Sequence, residues 1–192
     1  MTGAPDWRSR RWTATHERIY GTALRLFQER GYEAVSVGQI AGEAGVSVPT
    51  FYAHYPSKEH IVMQVPTAAE LSALLADQPT DLPVGERVRQ AAPAWFARWT
   101  PEEREQTLTR WRIIATTPAL RTRAAEFERT TAGYFAEALP AASGVPARPA
   151  DSIVINAYLA AYTTGLLAWA DCNGERKVEE LVDEAFDALQ SS

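Results

Sequence analysis

Between residues 37 and 60 the chain reads VGQIAGEAGVSVPTFYAHYPSKEH, and this stretch limits the possible fold more than any other. Its spacing predicts a short helix, a glycine turn, a second short helix and the start of a third. Ser36 and Gln39 stand at capping-box spacing ahead of the first. Ile40 and Ala41 share one face of it, and Ala41 is small where another helix must cross closely. Gly45 follows Ala44 where the chain must leave the helix, a place for left-handed backbone that a Cβ disfavours. Val46 then returns to the core. Ser47 can cap the next helix, and Pro49 falls in its first turn, where a missing N–H costs little. Phe51 and Tyr55, four apart, form the buried face of that helix. Val48, Pro49, Thr50, Tyr52 and His54 are left facing outward, residue types suited to base edges and phosphates.

A helix-turn-helix of this kind points at double-stranded DNA. Ser57 is expected to cap the helix that follows, with Glu59 in its first turn and Lys58 beside the free N–H groups, where one phosphate can meet both. Upstream, a helix opens at Thr15, turns Ile19, Ala23, Leu26 and Phe27 inward, and ends at Gly31. Ahead of it, Arg8, Arg10 and Arg11 form a basic arm that can lie in a minor groove. The expected DNA contacts are Arg10, Arg11, Ser36, Val37, Ser47, Val48, Pro49, Thr50, Tyr52, His54 and Lys58. Ala-x-x-x-Gly-Val by itself occurs in many helical cores that bind nothing. The joined pattern of capped helix, AGEAGVS, Phe-Tyr-x-His-Tyr and Ser-Lys-Glu is far more specific.

Residues 15–61 resemble the DNA-binding domain of the tetracycline-repressor (TetR) family of one-component bacterial regulators. The matching residues are Phe27, Gly31, Tyr32, Ser36, Ile40, Ala41, Ala44 to Ser47, Tyr52, His54, Tyr55 and Ser57 to Glu59. Gly38 departs from the family, which usually carries a larger polar residue there, and Tyr55 replaces the commoner Phe. The resemblance covers the first third of the chain strongly and the rest only in helix layout. It implies an all-α fold, with an N-terminal three-helix reader over 1–57 and a helical ligand-binding and dimerisation domain over 58–192, about nine helices altogether. It further implies a ligand-responsive regulator, a repressor released from a palindromic operator by an apolar or aromatic small molecule. The alternative is a DNA-binding regulator whose second domain binds a protein partner or no ligand.

A net charge of −5 over 192 residues argues at first against DNA, but its distribution reverses that. Residues 1–58 hold seven Lys and Arg against five Asp and Glu, a net +2, which leaves −7 for the remainder. The positive end is the proposed DNA end. No apolar run approaches the roughly 20 residues of a membrane helix, and the N-terminus has no apolar signal core. The single Cys172 cannot close an internal disulfide. A cytoplasmic protein is expected.

Beyond the motif, helical spacing predicts helices over 58–77, 84–99, 100–115, 118–139, 151–170 and 175–189, with a loop over 140–149. Pro66 and Pro93 fall inside two of these and should kink or break them. Pro66 would then be either a hinge, through which a ligand changes the separation of two readers, or a fixed bend. Small residues on the penultimate helix and apolar residues on the last are expected to form a four-helix dimer interface: Val154, Ala157, Ala161, Gly165, Ala168, Val178, Leu181, Val182, Ala185 and Phe186. The same residues could instead cover the chain's own core. A homodimer doubles the contacts of a single reader across a pseudo-palindrome. Met63, Trp95, Trp99, Trp111, Phe127, Tyr134, Tyr158 and Tyr162 are expected to line an effector cavity, although any one of them alone reads as core. Of Arg110 and Arg112, at most one faces inward, toward an anionic group on a ligand; surface pairing with glutamates is the plainer expectation.

Catalysis is not expected. His16, His54 and His60 lack metal-ligand spacing, and the chain contains no HExxH, GxSxG, GxGxxG or P-loop pattern. No metal or cofactor is implied.

Overall fold

The computed structural model describes residues 7–76, 78–143 and 148–190, and among these ten helices and no strand. They are α1 (Trp7–Arg30), α2 (Val37–Glu43), α3 (Val48–His54), α4 (Glu59–Val62), α5 (Ala68–Ala76), α6 (Val84–Phe96), α7 (Pro101–Thr116), α8 (Pro118–Ser143), α9 (Pro149–Asp171) and α10 (Val178–Gln190). The chain divides into two units, 1–64 and 65–192. The first unit therefore runs beyond the expected boundary at 57, because Ile61 and Val62 on α4 are buried within it.

In the first unit the predicted caps form. Ser36 Oγ accepts from Gln39 N while Gln39 Oε1 accepts from Ser36 N, closing the capping box at α2. α2 ends in a left-handed turn: Gly45 has φ +64°, its N–H donates to Gly42 O, and Val46 N–H donates to Ala41 O at 2.9 Å. That pair of bonds satisfies the last carbonyls of α2 and aims α3 across it. Ser47 Oγ then accepts from Thr50 N, and Pro49 sits in the first turn of α3. Ile19, Ala23, Leu26, Ile40, Ala41 and Phe51 fill the space between α1, α2 and α3. Val46 is only half-buried.

Several expectations are corrected here. Residues 7–14 are not an arm but the first turns of α1, which begins at Trp7 rather than Thr15. The helix expected over 58–77 is two helices, α4 and α5, separated by the non-helical residues 63–67 that contain Pro66. Pro66 has no N–H to donate to the residue four back and disfavours helical backbone at Val65, so the break falls where that bond is lost. Ser57 does not cap α4: its hydroxyl meets His60 Nδ1 at 2.9 Å, and Lys58 occupies the N-cap without a side-chain bond. Pro93, by contrast, is carried inside α6 without ending it, three residues before the helix stops at Phe96. Of the expected loop over 140–149, residues 140–143 continue α8 and 149 opens α9; residues 144–147, like Asp77, lie outside the described residues.

In the second unit α9 is central, packed by α6, α7, α8 and α10, with α5 against α8. Among the described residues α9 is the one helix long and apolar enough to cross a membrane, yet half of that window is buried inside the chain. Its closest neighbour is α10. A Cβ built on Gly165 would lie 2.7 Å from the backbone Cα of Val182, so only glycine lets these helices approach so far. The expected dimer stripe is thus largely spent within the chain. Ala161 and Gly165 are buried on α9, and Val178, Leu181, Val182 and Phe186 on α10; Val154, Ala157, Ala168 and Ala185 are partly buried. Arg89 ties α6 to Asp183 and Asp187 of α10 at 2.5 and 2.7 Å, and Arg104 ties α7 to Glu179 at 2.6 Å.

Gly165→Ala should therefore destabilise the chain by roughly 1–3 kcal/mol, because overpacking against a neighbouring backbone outweighs alanine's better helix propensity. Urea unfolding measures this, and an unchanged or raised midpoint would contradict the close approach.

Candidate nucleic-acid interface and aromatic core

The outward surface of α3 is set by its buried one. Phe51 is fully buried and Tyr55 is 3 % exposed, which turns Val48 and Tyr52 out to 40 % and 52 % exposure. Tyr52 stands edge-on to Phe51, with centroids 5.5 Å apart and planes at 90°, on a seven-residue helix pinned at both ends. Pro49 and Ser47 are exposed beside it, as is Ser36 at the start of α2, with Val37 half-buried. Thr50 is half-buried, and its hydroxyl pairs with Ser47 Oγ at 2.8 Å, so it supports the cap as well as facing the surface. Arg10 and Arg11 are exposed on α1.

Two expected contacts are placed otherwise. Lys58 does not present its ammonium outward: Nζ donates to Tyr32 O at 2.9 Å and Val35 O at 3.0 Å and lies 4.2 Å from the centre of the Tyr32 ring. Burial lowers its pKa, and Glu33 and Glu59 oppose that shift. It bridges two carbonyls of the turn after α1, alongside the Val35 N–H that also donates to Tyr32 O. His54 turns back toward α1, where Trp12, His16, His54 and Tyr55 stack in one group. Trp12 lies 4.9 Å from His16 and 4.8 Å from His54, and His16 lies 4.3 Å from Tyr55. Tyr55 also donates through its hydroxyl to His16 O. Nδ1 of both histidines is buried without a partner. A helix opening only at Thr15 leaves out Trp12, the ring on which His16 and His54 stack. The signal was the same 3–4 spacing, continued backward from Ile19.

The other basic residues of this unit are engaged internally. Arg25 pairs with Glu29 and Glu43, Arg30 pairs with Glu43, and Arg18 Nε donates to Ala44 O at 2.8 Å across the end of α2. Bonding to Arg25, opposed by some desolvation, holds the Glu43 carboxyl below its ordinary pKa.

In the second unit, aromatic rings gather on α6, α7, α8 and α9. Phe96 stacks on Tyr162 at 5.7 Å and lies 5.0 Å from Trp99, which stacks on Trp169 at 6.3 Å. Trp95, Trp99, Trp111, Tyr134 and Tyr162 are partly buried against the core, whereas Tyr158 is buried in it, against Phe186. Burial pushes the Tyr162 hydroxyl well above its ordinary pKa, with Arg110 pulling the other way. Phe127 is half-buried on α8 and is not one of the rings around Phe96. Met63 is buried as the C-cap of α4, in the first unit. Arg110 donates to Thr107 Oγ1 and Arg112 to Asn173 O at 2.8 Å. The buried Arg87 on α6 was not singled out by its sequence context.

The histidine pair gives the reader unit a pH dependence of definite sign. Burial lowers the pKa of His16, His54 lowers it further, and Glu17 opposes; burial also lowers that of His54. Folded-state values below the ordinary 6.5 mean that the unfolded chain binds these protons first. The stabilisation is complete above that value and is lost as pH falls below it toward the folded values. The thermal midpoint of the first unit should drop between about pH 7 and pH 5, and His16→Phe, which keeps the stack, should flatten the drop. An equal drop in the variant would show that the stack is not its source.

Two family models match the chain: the tetR family of bacterial regulatory proteins over residues 19–65, and the MftR C-terminal domain over residues 82–192. The chain is 36 % identical over 92 residues to the HTH-type transcriptional regulator TcmR of Streptomyces glaucescens, a stretch covering 48 % of this chain and 40 % of that protein. Such matches span less than half the length of the curated relatives. Among solved structures, a TetR-family regulator from Syntrophomonas wolfei superposes with a TM-score of 0.60 at 17 % identity, covering 93 % of this chain and 94 % of that one. The FadR repressor of Thermus thermophilus, solved with lauroyl-CoA, superposes with a TM-score of 0.54 at 21 % identity, covering 91 % and 93 %. Those identities speak for the fold alone. With the capped helix-turn-helix in the first unit and a family model spanning most of the second, the chain belongs to the TetR family of bacterial regulatory proteins.

Proposed function

We propose that this protein is a cytoplasmic, homodimeric, DNA-binding transcriptional repressor that leaves a pseudo-palindromic operator when its second unit binds an apolar or aromatic small molecule. One observation carries the DNA reading: Tyr52 stands half-exposed on the capped helix α3 beside Val48 and Pro49, edge-on to the buried Phe51, with Arg10 and Arg11 exposed on α1. A hydroxyl and an apolar edge on a short, capped helix can read a major groove, while guanidinium groups take up phosphates. Two copies would present their readers about 34–36 Å apart, one turn of DNA, or a multiple of that.

The dimer reading rests on the face of α9 that its own chain leaves open. Ile153, Asn156, Ala160 and Thr164 are exposed along one side, flanked by the partly covered Ala157, Leu167 and Ala168. Ile153 is 73 % exposed. The outward residues Glu180, Asp183, Glu184 and Asp187 of α10 are charged and already paired within the chain, with Arg89, Arg176 and Lys177, so that helix offers no comparable apolar face. We therefore place the two-fold contact on the open face of α9, with Ala157 and Ala168 of the expected residues at its edge, rather than on α10.

The effector reading rests on the partly buried rings around Phe96. Binding must favour the arrangement that cannot hold DNA, since equal affinity for both shifts nothing. A coupling of roughly 1–3 kcal/mol would lower operator affinity about 5–150-fold. The non-helical residues 63–67 are where the chain passes from reader to second unit, and they are the segment in which such a change would be taken up.

Selection of binding sites from random DNA should return an inverted repeat. On that operator, Tyr52→Ala should weaken binding by roughly 1–3 kcal/mol and relax the sequence preference. Arg10→Ala and Arg11→Ala should weaken binding to all DNA and each reduce the salt slope by about 1. Lys58→Met should leave that slope unchanged and lower thermal stability instead. A normal operator affinity in the Tyr52, Arg10, Arg11 triple variant would remove the DNA assignment. Ala160→Glu should yield monomers in sedimentation and lose operator binding with them; a dimer of normal affinity would move the contact off α9.

A further inference from the structure

Arg87 lies on the first turn and a half of α6, 2 % exposed. Its guanidinium has five N–H donors, and among the described residues it makes one hydrogen bond, to Leu75 O at 3.5 Å. Its Nε is buried without a partner, and so is Oε1 of Gln78, three residues beyond Leu75. No carboxylate among the described residues pairs with it, in contrast to Arg89, Arg104, Arg148 and Arg176. Burial accordingly lowers its pKa with nothing raising it. Leu75 O already accepts from Gln78 N at 3.2 Å, so the end of α5 does not need an arginine to cap it.

A buried cation without a counter-ion is a cost that a merely structural position would shed by substitution. The surrounding residues are apolar, with Leu71, Leu75 and Val88 buried in the same cluster. Pro79, Thr80 and Asp81 in the α5–α6 connection are exposed. We propose that Arg87 is the recognition group of an anion site at the α5–α6 junction, and that the effector it selects is an apolar monocarboxylate. The carboxylate takes the guanidinium edge, and the hydrocarbon lies against the leucines; at Gln78 only the Nε2–H2 group, not the orphaned Oε1, can donate to such a ligand. This rests on the effector reading above and gives it a chemical class.

The test uses the full-length protein with octanoate and 4-phenylbutyrate, each beside its neutral amide, read by thermal shift, calorimetry and operator release. Both carboxylates, or the one whose hydrocarbon fits, should raise the melting temperature and release DNA, with the amides much weaker. Arg87→Met should raise the melting temperature of the ligand-free protein, because it removes an unpaired buried charge, and should weaken carboxylate binding roughly 10- to 100-fold. If Arg87→Met fails to fold or melts lower, the arginine is structural and the proposal falls. It falls equally if neither carboxylate binds, or if the variant binds them as well as the parent. Asp77→Asn checks for an internal counter-ion: a loss of stability that disappears in the Arg87→Met background would overturn the site. Release of DNA by amides and carboxylates alike would leave the effector reading standing and remove Arg87 from it.

Discussion

α9 is packed by its own chain and still leaves one face open, and much of the molecule follows from how its surface is divided. Four helices pack on one side of it, the closest held at contact by Gly165 against Val182. The other side, from Ile153 to Thr164, stays open. On the proposed reading a second copy covers that face. Dimerisation would then also fix the spacing of the two readers, so the chemistry of base recognition depends on helix packing in a different unit.

The reader itself was almost fully legible from sequence, because its instructions are local. Caps, a left-handed glycine and a proline in a first turn act over three or four residues, and Ser36, Gly45, Ser47 and Pro49 do in the structure what their spacing demands. What could not be read was which surface each amphipathic residue would meet. Lys58 stands at a helix start, a good phosphate position, but its flexible stem reaches two carbonyls of the preceding turn first. His54 had the spacing of an outward residue, and Trp12 drew it back. The stripe on α9 and α10 was identified correctly as small and apolar; periodicity alone does not say whether the facing helix belongs to the same chain.

The break at Pro66 and the continuity at Pro93 make the same point about proline. Both remove one helical hydrogen bond. Pro93 sits three residues from a helix end and exposed, so little helix lies beyond it to lose. Pro66 falls midway through a long apolar run, and there the chain separates into two helices. Cost depends on what each side of the break can still bury.

The internal use of the basic residues has a consequence for how the protein would find its site. Of the seven cations in residues 1–58, Arg18, Arg25, Arg30 and Lys58 are bonded within the unit, and Arg8, Arg10 and Arg11 stand at one end of α1. Few counterions would therefore be released when it meets an arbitrary duplex, and attraction to random sequence would be shallow. Such a regulator would slide little along the chromosome and spend most of its time off it, arriving at operators by collision, and its occupancy would track its own cellular concentration more closely than that of a strongly basic repressor.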